Sequence, residues 1–463
     1  MSTPDLSFAG TPVEQPVHFI GIGGVGMSAV ARIMVARGVA VSGSDAKDLP
    51  VMRDLEAQGA RIAVGYDAAN LGDARAVVAG SAIRADNPEL LAAREAGLPV
   101  LHRSQALAAL MGQDRVVTVA GTHGKTTTTS MITVLLKGIG LDPSYAIGAA
   151  VPALGVNAAS GADDVFVAEA DESDGSFLNY TPRIAVVTNV EADHLDHYGT
   201  AEAVYQAFDD FAALLPADGL LVVCADDDGA AALADRVTAR GSTRVLRYGA
   251  SERAELRLLG TDRAPSVRVG EQEFPLELAV PGRHNQLNAL AALGVALELG
   301  INAEDALQAL KGFRGAARRF EFKGEARGVK VYDDYAHHPT EVRAALTAAR
   351  SVAGEHRLHV LFQPHLFSRT REFAQEFADS LRLADTAVVL DIYPAREDPI
   401  EGVTSHLITD PLGTEPSAAG APALGALLAT AEEGDIVLTV GAGDVTAYGD
   451  QILEALSAKD SDG

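Results

Sequence analysis

The sequence holds a single cysteine and no tryptophan, and only 5% of its residues are aromatic. One cysteine, Cys224, excludes an internal disulfide and fits a reducing, cytoplasmic location, which we therefore expect. Because Cys224 ends the apolar run 219–224, we predict a thiol buried in a strand and no nucleophilic role.

Basic residues and long apolar runs are also scarce. Lys and Arg number 37 against 63 Asp and Glu, which gives a formal net charge of −26 at pH 7. Such a charge repels nucleic acid and anionic membranes. No apolar run reaches membrane-spanning length, and residues 1–16 lack the basic and apolar regions of a secretory signal. We expect no nucleic-acid binding, no membrane insertion, and a monomer or weak homodimer.

Length and glycine content indicate several α/β domains. The 463 residues exceed one ordinary core, and 45 of them are glycine. Strand and helix patterns alternate along the chain, and a Gly- and Arg-rich stretch at 312–319 precedes a new strand pattern. We predict a Rossmann-like domain at 1–111, a central P-loop ATPase-like domain at 112–315 and a second Rossmann-like domain at 316–463.

A phosphate-binding turn follows the β-branched run 116–119. The turn 121–124 leads into Lys125 and Thr126, and then into a helical pattern at 131–137. Glycines let backbone N–H groups face a phosphate, the lysine can reach the β- and γ-phosphates, and the threonine hydroxyl can bind Mg²⁺. Valine occupies position 119, where the full Walker pattern has glycine. The motif is therefore a shortened G-x-x-G-K-T, and a plain helix start is the alternative.

A second glycine turn lies near the N-terminus. A strand pattern at 17–20 precedes Gly21, Gly23 and Gly26, which have G-x-G-x-x-G spacing, and Asp45 follows about twenty residues later. This arrangement offers a diphosphate the N-terminus of a helix and places a carboxylate near a sugar or base. The motif does not identify the nucleotide, so an NAD(P)-dependent oxidoreductase is one alternative.

Acidic residues follow two further predicted strands. The patterns 165–168 and 184–188 run into the segments 169–174 and 189–196, which hold several carboxylates and His194. If the extended form persists beyond 168, odd-numbered positions face one side and even-numbered positions the other. Carboxylates at the ligand edge of a sheet indicate a metal-bound phosphate, and an acidic surface loop is the alternative.

Polar loops also leave two predicted strands of the last domain. The segment 333–339 follows the strand pattern 329–332, and 363–369 follows 358–362. Both lie at the edge where such sheets bind ligands.

Two other sets of polar residues have alternative interpretations. Asn285 and Asn288 either cap the helix pattern 289–299 or contact a purine. Arg103, after the strand pattern 100–101, is as consistent with a solvated loop charge as with a functional contact.

Four motifs together resemble those of the Mur ligase family of peptidoglycan precursor synthesis, and the resemblance covers nearly the whole chain. They are Gly-Thr-His-Gly-Lys-Thr-Thr, Glu-Ala-Asp-Glu-Ser-Asp, Thr-Asn-Val-Glu-Ala-Asp-His-Leu-Asp and Asp-Asp-Tyr-Ala-His-His-Pro-Thr-Glu. The resemblance implies an ATP-dependent ligase that joins L-alanine to the lactyl carboxylate of UDP-N-acetylmuramate through an acyl phosphate, giving ADP and phosphate. A recycling ligase that adds a tripeptide to the same sugar nucleotide is the alternative.

The resemblance also implies roles for individual residues. The UDP group would be held by Gly23, Gly24, Val25, Gly26, Ser44, Asp45 and Ser81. ATP would be bound by Gly121, Thr122, His123, Gly124, Lys125, Thr126, Thr127, Asn285, Asn288, Arg319 and Asp334. Mg²⁺ would be surrounded by Thr126, Glu172 and His194. The catalytic groups would be Lys125, His194, His337, His338 and Arg369.

The chain departs from the family pattern at two places. Several sibling ligases carry a carbamoylated lysine as a metal ligand, but no lysine occurs here between Lys137 and Lys311. Many relatives have arginine where this chain has Leu366. A guanidinium for the amino-acid carboxylate would then come from elsewhere, and Arg371 is the candidate.

Overall fold

The computed structural model describes residues 7–8, 11–12, 15–112, 115–241, 243–395 and 397–458. The chain divides into two compact units. The larger unit comprises Met1–Glu277 and Gln286–Phe313, and the smaller comprises Leu278–Asn285 and Arg314–Gly463. None of the described helices is both long and apolar enough to cross a membrane.

The first part of the larger unit alternates strands with helices. Its strands are β1 (Ser7–Phe8), β2 (Thr11–Pro12), β3 (Val17–Ile20), β4 (Val41–Asp45), β5 (Arg61–Val64), β6 (Ala76–Ala79) and β7 (Val100–His102). Its helices are α1 (Val25–Ala36), α2 (Pro50–Ala57), α3 (Pro88–Glu95) and α4 (Arg103–Met111).

Strands β3 to β7 form a parallel sheet in the order β5-β4-β3-β6-β7, and β1 pairs with β2. The strand order changes direction between β3 and β6, and open parallel sheets bind ligands beyond the carboxyl ends of such strands. The helical pattern 27–36 in the sequence predicts a start at Met27, but α1 begins two residues earlier, at Val25, after the N-cap Gly24 in an extended conformation. Its apolar residues Met27, Val30 and Met34 recur at helical spacing and are buried.

The second part of the larger unit contains the longest sheet. Its strands are β8 (Arg115–Ala120), β9 (Ser144–Ala146), β10 (Ala158–Ala159), β11 (Val165–Glu169), β12 (Ile184–Val187), β13 (Leu220–Cys224), β14 (Arg244–Gly249), β15 (Leu256–Thr261), β16 (Ala264–Val269) and β17 (Gln272–Pro275). Its helices are α5 (Lys125–Gly138), α6 (Leu195–Tyr198), α7 (Ala201–Ala213), α8 (Asp228–Arg240), α9 (Arg283–Glu298) and α10 (Ala303–Leu310).

This sheet has the order β10-β9-β11-β8-β12-β13-β14-β15-β16-β17. The seven central strands of this order, β9, β11, β8, β12, β13, β14 and β15, pair in parallel, while β10, β16 and β17 add antiparallel pairs at the edges. Strand β8 lies between β11 and β12, so the segments that leave these three strands start side by side. Cys224 is buried at the end of β13, as predicted, and burial raises the pKa of its thiol to about 11.

The smaller unit is a doubly wound sheet. Its strands are β18 (Glu321–Ala326), β19 (Val329–Asp334), β20 (Leu358–Phe362), β21 (Thr386–Val389) and β22 (Ile436–Val440). Its helices are α11 (Pro339–Ala353), α12 (Phe367–Leu381), α13 (His406–Leu412), α14 (Ala421–Leu428) and α15 (Tyr448–Ala458).

The order of this sheet is β18-β19-β22-β20-β21, with only β18 antiparallel among the described strands. Alternate residues of β20 enter apolar clusters on opposite faces. Val360 and Phe362 pack with residues of α11 and α12, whereas Leu361 packs with residues of α14 and α15. The predicted α/β class with Rossmann-like and P-loop parts is therefore confirmed.

Candidate functional site

The turn between β8 and α5 requires glycine at two positions. Gly121 has φ +132°, and a Cβ there would lie 2.0 Å from the Thr188 hydroxyl oxygen. Gly124 has φ +83°, and its Cβ would lie 3.0 Å from Oδ1 of Asn288. A side chain at 121 is excluded by both conformation and space. Between them lies Thr122, whose hydroxyl accepts from the Glu191 N–H at 2.9 Å.

Two residues after β12 hold this turn in place. Asn189 accepts from the His123 N–H at 2.7 Å and donates from Nδ2 to the His123 carbonyl at 3.0 Å. The Thr188 hydroxyl donates to the same carbonyl at 2.6 Å. Sequence reasoning did not find these supports, because nothing local indicates that the residues after β12 reach the turn after β8.

Lys125, the first residue of α5, curls over the turn. Its ammonium donates to the carbonyl of Gly121 at 2.7 Å, to that of Thr122 at 3.2 Å and to Oε1 of Glu172 at 2.8 Å. Burial disfavours the charge, but Glu172 and Asp171 outweigh it and raise the pKa of Lys125. The lysine is thus a fixed cation beside a glycine turn, an arrangement suited to a polyphosphate.

Carboxylates gather at the start of α5. The Thr126 hydroxyl donates to both oxygens of Glu169, at 3.0 and 3.1 Å. Glu172 lies 3.5 Å from Nε2 of His194. Its second oxygen, Oε2, is buried with no hydrogen-bond partner in the described part of the chain. A buried carboxylate oxygen left without a donor fits a cation, so the predicted set Thr126, Glu172 and His194 is suited to Mg²⁺. Thr127, the next residue of α5, is buried.

His194 has a strained backbone at the end of the segment after β12. Its φ is +57°, in the left-handed region, and α6 follows it directly. Burial favours the neutral imidazole, but the hydrogen bond to Glu172 and the charge of Asp193 together raise its pKa. Glu169, which sequence reasoning did not assign to the metal, lies on the same side of the acidic segment as Glu172.

The acidic segment does not continue as a strand, so the predicted odd-and-even alternation is wrong. Strand β11 ends at Glu169, and the following residues turn. As a result, carboxylates that are three residues apart in the sequence face the same neighbours. Glu169 and Glu172 contact the residues that begin α5, whereas Asp171 and Asp174 contact the first part of the unit.

The turn between β3 and α1 is held by Asp45. Its Oδ2 accepts from the Gly23 N–H at 3.0 Å, and a Cβ at Gly23 would lie 2.5 Å from Leu49. Gly24 is the N-cap of α1, and Val25, its first residue, is exposed. A helix therefore follows the glycine turn, as the spacing predicts, although it begins at Val25, before the last glycine of the motif.

The remaining residues predicted to bind the UDP group lie around that turn. The Ser44 hydroxyl is buried and donates to Glu89 at 2.5 Å, while its carbonyl accepts from the N–H groups of Gly21 and Ile22. Ser44 thus supports the turn from behind. Ser81 follows β6, and its hydroxyl donates to Asp174 at 2.6 Å.

Gly26 is closely covered by Arg103. A Cβ at Gly26 would lie 2.2 Å from Nη1 of Arg103, the first residue of α4. Arg103 also lies 3.5 Å from Asp171. Arg103 is therefore held between α1 and Asp171. The alternative interpretation, a solvated loop charge, is wrong.

The asparagines of α9 do not cap it. The helix begins at Arg283, before both of them, and Asn285 donates to the Pro281 carbonyl at 2.6 Å. Asn288 is buried beside Gly124, in the larger unit. The capping interpretation is wrong because the helix starts six residues before its predicted first residue.

In the smaller unit, Asp334 ends β19. Its carboxylate accepts from the N–H groups of Phe320 and Ala336, both at 2.8 Å. Burial raises the pKa of Asp334 to about 6, although the charge of Arg319 opposes this. The Arg319 guanidinium lies 5.1 Å from the centre of the Tyr335 ring. The structure therefore brings the predicted pair Arg319 and Asp334 into one neighbourhood.

His337 and His338 follow on the same loop. Nδ1 of His337 is 3.0 Å from the Tyr335 carbonyl, which can only accept, so Nδ1 carries the proton and Nε2 is the acceptor. Burial lowers the pKa of His337 to about 3. The backbone N–H groups of both histidines donate to Glu341, and the His338 ring packs edge-on against Phe373 at 4.9 Å.

The loop after β20 places two arginines differently. Arg369 is buried in the first turn of α12, whereas Arg371, the predicted replacement for a family arginine, is exposed on the same helix. Leu366 directly precedes α12 with φ +73°. The charge of Arg369 also helps to keep the pKa of His337 low.

This chain is similar to known proteins along nearly its whole length. Family models match three ranges: Mur ligase family, catalytic domain, at 16–115; Mur ligase middle domain at 119–296; and Mur ligase, glutamate ligase domain, at 318–443. The UDP-N-acetylmuramate–L-alanine ligase of Paenarthrobacter aurescens is 72% identical over 453 residues, which cover 97% of this chain and 99% of that protein.

Solved structures agree. The UDP-N-acetylmuramate-alanine ligase of Thermotoga maritima is 30% identical with a TM-score of 0.79, covering 96% of this chain and 100% of that one. A murein peptide ligase of Psychrobacter arcticus is 25% identical with a TM-score of 0.70, covering 95% and 98%. Family models along most of its length and a full-length relative of high identity establish that this chain belongs to the Mur ligase family.

Proposed function

We propose that this protein is an ATP-dependent ligase that joins L-alanine to the lactyl carboxylate of UDP-N-acetylmuramate, with release of ADP and phosphate. The observation that carries the proposal is the 72% identity, over 97% of the chain, to a protein named for that reaction. Two glycine turns at helix starts support it, because the reaction needs one site for a sugar nucleotide and one for ATP.

The three predicted domains would divide these tasks. Residues 1–111 would bind the UDP group around Gly23, Gly24 and Gly26, and residues 112–315 would bind ATP around Lys125. Residues 316–463 would receive the amino acid. The ranges of the three family models support this division, as does the placement of each glycine turn at the carboxyl end of a parallel strand.

Mg²⁺ would be held by Thr126, Glu172 and His194, with Glu169 beside them. The buried Oε2 of Glu172, which has no partner among the described residues, supports this assignment. When bound, the ion would neutralise negative charge on the ATP phosphates. The absence of lysine between Lys137 and Lys311 leaves the protein without the carbamoylated ligand of its siblings.

In the first step the lactyl carboxylate attacks the γ-phosphorus, the bond to the β,γ-bridging oxygen breaks, and ADP leaves. Lys125 stabilises the charge that develops on the phosphoryl oxygens. Its present partners, the Gly121 carbonyl and Glu172, hold the ammonium above the turn, where a γ-phosphate would meet it. The turn itself contributes N–H groups and the start of α5.

In the second step the amine of L-alanine attacks the acyl carbon, phosphate leaves, and the amine loses a proton. His337 and His338 are the proposed acceptors, and Arg369 is the proposed partner of the alanine carboxylate. His337 is neutral with Nε2 as its acceptor nitrogen, as a proton acceptor must be, but its low pKa makes it a weak base.

Release of ADP tests the proposal. Purified protein is supplied with ATP, Mg²⁺, UDP-N-acetylmuramate and either L-alanine or the tripeptide used by murein peptide ligases. We expect ADP release with L-alanine and not with the tripeptide. The opposite preference would favour the murein peptide ligase, to which the fold is also similar. An NAD(P)-dependent absorbance change without ADP release would contradict both.

A further inference from the structure

Arg103 occupies the space in front of the first glycine turn. A Cβ at Gly26 would lie 2.2 Å from Nη1, 2.9 Å from Cδ and 3.1 Å from Cζ of Arg103. The guanidinium therefore lies against the first turn of α1, where the partial positive charge of the helix is also concentrated. The turn 21–26 itself contains no lysine or arginine.

The partner of Arg103 comes from the ATP-binding part of the chain. Oδ2 of Asp171 is 3.5 Å from Nη2 of Arg103, and both side chains are partly exposed. Asp171 lies between Glu169 and Glu172, which contact Thr126 and Lys125. One short segment thus holds the cation of the ATP turn on one side and the cation of the sugar-nucleotide turn on the other.

A second contact fixes the same side of this segment. The Ser104 N–H donates to Nδ1 of His102, so Nε2 carries the proton and donates to the Ser81 hydroxyl at 3.0 Å. Ser81 in turn donates to Asp174 at 2.6 Å. Asp174 also accepts from the Ser176 N–H. This chain of bonds leaves Asp171 facing Arg103.

We propose that Arg103 binds the diphosphate of the sugar nucleotide and that Asp171 is a positioning residue, which holds the guanidinium over the first glycine turn. The inference rests on the function proposed above. A diphosphate carries at least two negative charges, and the N-terminus of a helix supplies only about half a positive charge. A guanidinium gives the two parallel N–H donors that phosphate oxygens accept best.

Asp171 raises affinity by ordering Arg103 before the ligand arrives. An unpaired arginine samples many rotamers, and fixing it during binding costs free energy. The 3.5 Å separation is loose enough for the guanidinium to turn from the carboxylate to the phosphates without leaving the turn. The segment that serves ATP therefore also completes the sugar-nucleotide site.

Calorimetric titration with UDP-N-acetylmuramate, without ATP, tests the proposal. We expect Asp171→Asn to raise the dissociation constant about three- to tenfold and Arg103→Ala to raise it about ten- to a hundredfold. Arg103→Lys should restore part of the loss. In the Arg103→Ala background, Asp171→Asn should add nothing, because the residue it positions is gone.

A second titration uses a non-hydrolysable ATP analogue with Mg²⁺. Asp171→Asn should leave this affinity unchanged or slightly increase it, because a negative charge near Lys125 is removed. Asp164→Asn is the matched control: Asp164 also pairs with an arginine, Arg115 at 2.8 Å, but it precedes β11 instead of following it. It should change neither affinity.

Three results would overturn the inference. Asp171→Asn would bind the sugar nucleotide as tightly as the unaltered protein, or it would lose affinity for both nucleotides equally, as a general distortion of the segment would cause. Additive effects of the two substitutions would also contradict it. If the unaltered protein bound no UDP-N-acetylmuramate, the proposed function would fail together with the inference.

Discussion

The two glycine turns of the larger unit differ in how a positive charge is brought next to them. Each follows a parallel strand, β3 or β8, and each contains a glycine that is the N-cap of a helix. The turn after β8 carries its cation in the next residue, Lys125, which bonds back to the turn. The turn after β3 has no cation of its own and is covered by Arg103, which begins a helix far along the chain.

This difference shows that the position of a cation in the sequence affects how firmly the cation is held at its turn. A lysine at the first position of a helix can bond directly to the turn it serves, as Lys125 does. An arginine that arrives from another helix needs a partner to hold it, and here that partner is Asp171. The first turn is therefore sensitive to tertiary changes that leave the second one intact.

Lys125→Ala should give the largest effect. We expect kcat to fall by about a thousandfold or more, because phosphoryl transfer depends on electrostatic stabilisation. The dissociation constant for UDP-N-acetylmuramate should stay within about twofold, since that site has Arg103.

Lys137→Ala, at the other end of α5 and paired with Asp142, is the control and should turn over normally. Normal turnover by Lys125→Ala, measured by ADP release, would remove the basis of the comparison.

Alanine at one glycine of each turn should distinguish backbone strain from side-chain crowding. Gly121→Ala should lower the free energy of unfolding by more than about 2 kcal/mol, because φ is +132° and the Cβ meets Thr188 at 2.0 Å. Gly26→Ala should cost less than about 1 kcal/mol, because a flexible arginine can move aside, but sugar-nucleotide affinity should fall about tenfold.

Denaturant unfolding and calorimetry measure these two effects. Gly425→Ala, in α14 with nothing within 4 Å of its Cβ, should be neutral or slightly stabilising. A large loss of stability in Gly26→Ala would mean that Arg103 is rigidly fixed, contrary to the comparison.

Removal of Mg²⁺ should weaken nucleotide binding at the second turn more than at the first, but the effect should be smaller than those above. With EDTA, affinity for an ATP analogue should fall about tenfold or more, because Glu169 and Glu172 then repel the phosphates beside Lys125. Affinity for the sugar nucleotide should change less than about twofold, since Asp171 is paired with Arg103 and Asp45 with the Gly23 N–H. Equal losses of affinity for the two nucleotides would contradict the conclusion that each turn has its own cation.

The histidines near the two turns should titrate in opposite directions from 6.5. Burial lowers the pKa of His102, near the first turn. The pKa of His194, near the second, is raised because Glu172 and Asp193 outweigh burial. Stability from neutral His102 is present above pH 6.5 and is lost as pH falls through its folded pKa. Stability from protonated His194 is present below pH 6.5 and is lost as pH rises through its folded pKa.

NMR titration of the imidazole C–H resonances without Mg²⁺ measures both values, with assignments from His102→Gln and His194→Gln. Two values on the same side of 6.5 would show that the surroundings of the turns are electrostatically alike.

Much of the fold was predictable because its rules are local. The strand patterns 17–20 and 358–362 match β3 and β20 in full. Helix starts were predicted too late, at Met27 for α1, position 131 for α5 and Ala289 for α9. In α5 and α9, polar residues such as Thr126 and Asn285 occupy the first turn, so apolar periodicity begins only after it. In α1 the first turn contains Gly26, which carries no apolar side chain.

The site was predicted in part for the same reason. Lys125 and the glycines were found because strand, turn and helix lie within about twenty residues, and Gly121 must be glycine whatever surrounds it. The grouping of the acidic segment was wrong because it depended on how far β11 continued. The roles proposed for His337, His338 and Arg369 are still predictions.

The sequence by itself determined the two glycine turns, the helix that each begins and the polar residues at the carboxyl ends of the strands. These features follow from backbone conformation and from hydrogen bonds between near neighbours. Only the tertiary structure decided that Asp171 meets Arg103, 68 residues away, while Glu172 meets Lys125. That choice depends on which strands pair and where β11 ends, and no local pattern carries this information.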